Sequence, residues 1–473
     1  MDFDSLEFFV FLGLFFLFWP LARRNNTVRW TFLVAMSLGF YAWGYWRYLP
    51  VLLGTGLVDY LSALGMERWP HQKKKLLWAS MAANLGMLGF FKYSDFFLMN
   101  LNTVTALFGV KPLPYLHLEL PLGISFYTFE SMSYTIDVYR GRFKPIRNVL
   151  KFYAFLSLFI RLAAGPIVRA AQFIPQLDEP RRPNTVALWV GLRLIVYGFV
   201  KKLVIADNIA EAVDASFNAL HVSGGTLHWT MIALFTAVQI YCDFSGYSDI
   251  ARGLGKWMGF DLPVNFNHPF GAATITKAWM RWHMSLVSWL RDYVYYPLAG
   301  NLRNETKNNI AMSVTMLASG FWHGASWTFV IWGAWNAFFL WIERATKWPD
   351  RVRRFPGGGI FRSVVTALTM IYGAIWFRAG HVDRATEIFV HLLSPDFGSL
   401  LSLPKQYPFE LLLVAFVVSR GIYFQSATGT KFKAFRTLRA KTRFYTEPFE
   451  LAALIAIIVF LRGPGHAFVY FQF

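Results

Sequence analysis

Apolar runs recur along the whole chain, at 6–21, 30–46, 50–65, 76–92, 121–138, 149–168, 186–206, 228–248, 309–320, 326–342, 361–378, 408–424 and 449–462. Nothing else in the sequence constrains the fold as much. Several fall short of the ~20 apolar residues that cross a bilayer perpendicular to its plane, so some are expected as half-helices or tilted pieces. No repeat, low-complexity tract or long flexible linker separates them. Only 15% of the residues are charged, against 55% hydrophobic and 19% aromatic, where soluble domains carry roughly 25% charged residues. The expected fold class is therefore all-α, a polytopic membrane protein forming one domain over 1–473.

The net charge of +19 would suit a nucleic-acid partner, but its distribution argues for membrane topology instead. The basic residues stand in short clusters between apolar runs: Arg23, Arg24 and Arg29; Arg68 with Lys73, Lys74 and Lys75; Arg140, Arg142, Lys144 and Arg147; Arg344, Lys347, Arg351, Arg353 and Arg354; and Lys431, Lys433, Arg436, Arg439, Lys441 and Arg443. The loops between are poor in Lys and Arg. The positive-inside rule puts the five clusters in the cytoplasm and both termini outside. Phe8 to Trp19 is followed, not preceded, by positive charge, so it reads as a retained span and not a cleaved signal. Two cytoplasmic loops, 139–148 and 343–354, are then joined by five apolar runs, an odd number. At least one run must be re-entrant, and such backbone is tolerated only where it is buried or lines a cavity. The candidates are the segment with Arg161, Gly165 and Pro166 and the short piece at 309–320.

One histidine lies where an ionisable group is costly. His323 stands in Gly320-Phe321-Trp322-His323-Gly324-Ala325-Ser326-Trp327-Thr328-Phe329, between two strongly apolar runs, and a histidine at membrane depth is by default a functional-site hypothesis. Gly320, Gly324, Ala325 and Ser326 lack bulk, so a helix or a substrate chain can come close. Trp322 and Trp327 offer flat apolar walls. A buried neutral imidazole can take a proton from a hydroxyl; the bland alternative is a structural histidine bonded to a carbonyl.

A second constellation runs from Asn265-Phe266-Asn267-His268-Pro269-Phe270 to Arg281-Trp282-His283 and Arg291-Asp292. His283, Arg291 and Asp292 are within reach of a polar cavity, while Arg281 and Arg291 serve equally as interfacial anchors. Asp243, Ser245, Tyr247 and Asp249 put two carboxylates at the end of an apolar run, as polar glue, as cavity lining or as a histidine's orienter. The lone Cys242 excludes an internal disulfide and any multi-cysteine metal site. No Rossmann fingerprint or Walker loop is present.

The motifs follow one another in a characteristic order: Leu120-Pro121-Leu122-Gly123-Ile124-Ser125-Phe126-Tyr127-Thr128-Phe129, Ile136-Asp137-Val138-Tyr139-Arg140-Gly141, Ala164-Gly165-Pro166-Ile167-Val168-Arg169, Tyr241-Cys242-Asp243-Phe244-Ser245-Gly246-Tyr247-Ser248-Asp249, Arg281-Trp282-His283, the decapeptide around His323, and Trp376-Phe377-Arg378-Ala379. In this series the chain resembles the membrane-bound O-acyltransferase family, in the bacterial branch that includes alginate O-acetylation proteins. Three positions depart from the usual pattern. Glu130 stands where glutamine is more usual, Arg161 where many members read proline-glutamine-leucine, and Asn336 where histidine is frequent.

The resemblance implies a ring of about 11–13 transmembrane or re-entrant helices around a central cavity, with a catalytic core at about 121–345 and C-terminal helices and an extracytoplasmic tail over 361–473. It makes His323 the catalytic histidine and His283 a second residue near the reaction chamber. Trp322, Trp327, Asp243, Ser245, Tyr247, Asp249, Arg281, Arg291, Asp292 and Asn336 become candidate cavity residues. It implies a bacterial inner-membrane enzyme that takes acetyl from cytoplasmic acetyl-CoA, without a tightly bound cofactor or metal. The acetyl would pass to an extracytoplasmic polysaccharide, with an SGNH-type acetyltransferase as partner. Tyr470, in the tail Phe468-Val469-Tyr470-Phe471-Gln472-Phe473, resembles the tyrosine of short aromatic C-terminal motifs in acyl-export systems, an acyl acceptor; the bland reading is an aromatic interfacial anchor. The rivals are a D-alanyl or acyl transferase fed by a carrier protein, and a non-catalytic conduit for an acyl group or polysaccharide.

Overall fold

The computed structural model describes residues 1, 3–162, 164–301, 303–426 and 433–469, and their side chains outside 422–444. It is helical throughout, with no strand among the described residues. Backbone contacts divide it into two compact units, Met1–Leu192 with Ala251–Pro263, and Arg193–Ile250 with Val264–Phe473.

The first unit holds α1 (Leu6–Ala22), α2 (Asn26–Tyr45), α3 (Leu49–Arg68), α4 (Lys73–Leu88), α5 (Ser94–Ala106), α6 (Ile124–Tyr139), α7 (Val149–Leu156), α8 (Phe159–Leu162) and α9 (Ala170–Asp178), and α10 (Thr185–Phe199) begins there. Ser5 opens α1 by accepting the Phe8 N–H at 3.2 Å, and Asn25 opens α2 on the N–H groups of Thr27 and Val28. On α1, Phe8, Phe11, Phe15, Trp19 and Ala22 are buried, the spacing of one helix face. Leu6, Phe9, Val10, Leu14, Leu17, Phe18 and Leu21 on the other faces stay exposed. An apolar helix left bare in this way suits lipid and not water. Inside, Asp59 of α3 is fully buried and accepts from Ser80 and Asn84 of α4 and Ser131 and Thr135 of α6. One carboxylate thereby ties three helices together.

The run 149–168 is broken. It gives only eight residues of α7 and four of α8, then irregular backbone from 164 to 169, buried as far as Val168, too short to cross a bilayer. Arg161 of α8 pairs with Glu130 of α6, Arg161 also donates to the Phe155 carbonyl, and the Val168 N–H donates to Glu130 at 3.0 Å. Two of the three departures from the family pattern, Glu130 and Arg161, are thus partners of each other. Of the two re-entrant candidates, this segment has the interrupted backbone. The other, 309–320, lies inside a 19-residue helix (Glu305–His323), about 28 Å long at 1.5 Å per residue.

The second unit continues α10 through a π-helical stretch (Val200–Ala206), then α11 (Asp207–Phe217), α12 (Thr226–Met258), α13 (Ile275–Trp279), α14 (Met284–Leu290), α15 (Tyr296–Ala299), α16 (Glu305–His323), α17 (Trp327–Thr346), α18 (Trp348–Val352), α19 (Gly358–Arg378), α20 (Val382–His391), α21 (Ser399–Gln406), α22 (Pro408–Ser426) and α23 (Lys433–Leu461). The basic stretch 431–443, expected as a loop, is helical from Lys433 on. Asp396 caps the start of α12 from a distance, accepting the N–H groups of Gly225 and Leu227 at 2.9 and 2.7 Å, where an anion is favoured. By length and apolarity alone, Asn26–Arg68 and Gly358–Arg378 are spans, and α21 with α22 makes a third that is bent by 92°. The other apolar runs become helices that are shorter, broken or carry charges.

Candidate active site

His323 is the last residue of α16, and the small residues after it turn the chain back on itself. Gly324 is extended (φ −164°, ψ 156°), and Ser326 opens α17 by accepting the Thr328 N–H at 3.3 Å. A Cβ on Gly320 would collide with the Phe329 carbonyl, one on Gly324 with the Phe329 ring, and one on Gly333 would lie 2.6 Å from the Met316 carbonyl oxygen. The glycines let the two helix backbones touch, so the close neighbour expected there is α17 itself.

The imidazole is 4% exposed and meets three aromatic rings edge to face: Trp322 at 5.0 Å, Trp332 of α17 at 5.2 Å and Phe377 of α19 at 5.1 Å. Three helices therefore fix its plane. It forms part of the wall of a partly open cavity, a concave pocket of the kind that takes small molecules. The rest of the wall is mainly apolar: Ala237 and Ile240 of α12, Trp279 and Trp282, Trp332, and the face of α19 from Thr366 to Phe377. Glu343 holds α13 in position by accepting the Ile275 and Thr276 N–H groups at 2.6 and 3.2 Å.

His283 is 1% exposed and takes a left-handed backbone (φ 41°) ahead of α14, unusual for a residue other than glycine. Its Nδ1 donates to Asn265 Oδ1 at 3.1 Å, and the same oxygen accepts the Ser285 hydroxyl at 2.8 Å. Asn265 Nδ2 reaches the Ser248 hydroxyl of α12 at 3.2 Å. Asn265 is therefore the hub that orients this histidine, a role the sequence did not single out. Trp322 stands between the two histidines, its ring 6.0 Å from His283 and 5.0 Å from His323. His283 is outside the lining of the cavity.

Among the other candidates, Asp243 pairs with Lys202 at 3.0 Å and accepts the Val469 N–H at 2.7 Å. Lys202 in turn donates to the His466 carbonyl at 2.7 Å. The pair clamps the C-terminal tail by its backbone, so of the three roles open to Asp243 it performs the gluing one. Asp249 pairs with Lys201 at 2.6 Å, Ser245 is buried, and the Tyr247 ring meets Phe468 at 5.1 Å in a tilted contact. Arg291 pairs with its neighbour Asp292 at 2.9 Å, Arg281 is half-buried, and Asn336 returns its amide to the Trp332 carbonyl at 2.8 Å. None of these residues lines the cavity. Trp327 is 48% exposed at the start of α17, and Trp332 forms the wall expected of it. Tyr470 is outside the described residues. Val469, just before it, packs in one cluster with Trp332, Phe377 and Trp279.

The family model for the membrane-bound O-acyltransferase family matches residues 138–348, which include both histidines. A protein of Azotobacter vinelandii named "Probable alginate O-acetylase AlgI" is 38% identical over 440 residues, 89% of this chain and 84% of that protein. The peptidoglycan O-acetyltransferase of Helicobacter pylori is 34% identical, over 84% of this chain and 79% of its own length. The teichoic acid D-alanyltransferase of Streptococcus thermophilus is 31% identical over 47% of this chain and 57% of its own length. With relatives this similar aligned over most of their length, the chain belongs to the membrane-bound O-acyltransferase family and is an O-acyltransferase.

Proposed function

We propose that the chain takes an acetyl group from cytoplasmic acetyl-CoA and delivers it for O-acetylation of an extracytoplasmic polysaccharide, with His323 as general base. The observation that carries this reading is the imidazole itself, buried among three aromatic rings on the wall of a mainly apolar cavity. The hydroxyl attacks the thioester carbonyl while the imidazole removes its proton. The tetrahedral intermediate then collapses, the C–S bond breaks, and the thiolate takes the proton back from the imidazolium, giving an ester and free CoA-SH. Positioned proton transfer of this kind contributes about 10²–10⁴-fold. The names of the alginate and peptidoglycan relatives support acetyl as the group and a glycan as the final acceptor. The D-alanyl relative aligns over only 47% of the chain, which favours acetyl-CoA over a carrier-protein donor.

A second step is favoured by the tail. Its backbone is held by Lys202 and Asp243, and Val469 packs with two of the rings that flank His323. This supports Tyr470 as the first acceptor: its phenol would take the acetyl as an ester and pass it to a hydroxyl of an SGNH-type partner or of the glycan. The basic clusters support a cytoplasmic donor side and extracytoplasmic termini in a bacterial inner membrane. The test is acetyl-CoA cleavage by the purified protein, followed by mass spectrometry of the C-terminal peptide. Cleavage with acetyl on Tyr470 is expected. A protein that never releases CoA does not use acetyl-CoA as its donor, and the proposal fails.

A further inference from the structure

The cavity beside His323 carries two polar atoms on its wall that have no partner among the described residues, Trp279 Nε1 and Thr366 Oγ1. Both side chains are deeply buried, 6% and 2% exposed. Buried donors are nearly always bonded, and each exception asks for an explanation. For Thr366 the exception is pointed. A helical threonine usually returns its hydroxyl to the carbonyl four residues back, as Thr369 does to Val365 at 2.9 Å and Thr315 to Ala311 at 2.6 Å. Thr366 does not.

The two atoms lie at different depths. On α19 the cavity is lined by Thr366, Met370, Ala374 and Phe377, one stripe of the helix that runs about 16 Å at 1.5 Å per residue. Phe377 packs against His323, so Thr366 marks the far end. Trp279 is nearer the histidine: its ring meets Trp332 at 5.5 Å, and Trp332 meets His323 at 5.2 Å. Beyond Thr366, α19 begins directly after the basic cluster that contains Arg351, Arg353 and Arg354.

We infer that Trp279 and Thr366 recognise the arm of the acyl donor, an extended thioester-linked chain with amide groups at intervals. The Trp279 N–H donates to a carbonyl near the thioester, and the Thr366 hydroxyl bonds a polar group farther out. The phosphate-bearing end then points toward the basic cluster. A hydrocarbon-tailed donor would leave both atoms unbonded, so they select an amide-bearing arm. They position the thioester carbonyl for attack and take no part in proton transfer. This deepens the donor reading above and rests on it.

The test uses the full-length protein and two donors, acetyl-CoA and S-acetyl-2-mercaptoethanol, a thioester without amides. Trp279→Phe removes the N–H and keeps an aromatic ring; Thr366→Val removes the hydroxyl at constant shape; Thr366→Ser keeps it. We expect KM for acetyl-CoA to rise about tenfold in Trp279→Phe and in Thr366→Val, the loss of one net hydrogen bond. Thr366→Ser should behave as wild type, and activity on the short thioester should not fall further in any variant. Equal losses on both donors would mean a packing role and overturn the inference, as would unchanged KM for acetyl-CoA in both variants. Wild-type protein that does not cleave acetyl-CoA at all overturns the donor reading and the inference together, an outcome distinct from the other two.

Discussion

Replacing Glu130 alone should damage the protein more than replacing Glu130 and Arg161 together. Both side chains are almost wholly buried, 5% and 3% exposed, and they form an ion pair in the first unit. The guanidinium lies 4.6 Å from the centroid of the Phe173 ring, where it has no water to turn to. Glu130→Gln leaves that cation without a counter-ion, and breaking a buried pair from one side costs about 3–5 kcal/mol. Arg161→Gln should cost less, because a carboxyl left alone can take up a proton and become neutral, while a guanidinium cannot be discharged. The double variant Glu130→Gln/Arg161→Gln restores the neutral pairing of the usual family pattern and should recover most of the loss. The assay is the thermal transition in detergent, followed by tryptophan fluorescence. At ~2–4 °C per kcal/mol for domains of this size, Glu130→Gln should fall by on the order of 10 °C. Additive shifts of the two single variants, or a single Glu130→Gln variant as stable as wild type, would refute the reasoning.

Asp243→Asn and Lys202→Met should each loosen the C-terminal tail, read as faster carboxypeptidase trimming and as loss of acetyl on Tyr470 together with the CoA release that accompanies it; an unchanged trimming rate would contradict the clamp. Gly320→Ala places a methyl against the Phe329 carbonyl and should cost about 1–3 kcal/mol by overpacking, with activity falling as the hairpin shifts; wild-type activity would show that the helices have room to move. The Asp396 carboxyl titrates at about 2, because the Ser399 hydroxyl and the N–H groups of Leu227, Gly225 and His228 outweigh the opposing effect of burial. A group lowered on folding contributes stability that is complete above its unfolded value and is lost as pH falls, here between about 4 and 2. Asp396→Asn should flatten that part of the stability curve, and an identical curve in the variant would contradict the capping role. A single cysteine placed at 393–398 should react with impermeant reagents only from outside, and cytoplasmic labelling would reverse the orientation.

What could be read in the sequence followed from local chemistry. The apolar runs announced helices, and the cost of an intramembrane histidine singled out His323 before any contact was known. Gly320 and Gly324 announced a close approach, and the neighbour turned out to be the next helix. Pairings between distant segments were not legible. Glu130 and Arg161 each look anomalous alone, and only the fold shows that they compensate. Asp243 kept three open roles until its contact with Val469, 226 residues away, chose among them. Trp327 and Trp332 both follow His323 on an aromatic-rich stretch, and only the phase of α17 decides which one faces the cavity. Asn265 stands in an unremarkable loop motif, and its three partners lie on two other elements, Ser248 on α12 and His283 and Ser285 at the start of α14. Thr366 carried no signal at all, because a threonine in an apolar helix usually satisfies itself.

The general-base role of His323 is tested most directly by single-turnover release of CoA from acetyl-CoA in the presence of an acceptor hydroxyl, comparing wild type with His323→Gln. The variant should keep the wild-type thermal transition, since Gln is also polar and smaller than the cage of Trp322, Trp332 and Phe377 that surrounds it. Its rate should fall at least 100-fold, the lower bound for positioned proton transfer. A fall of less than tenfold in a normally folded variant would contradict the assignment of His323 as the base.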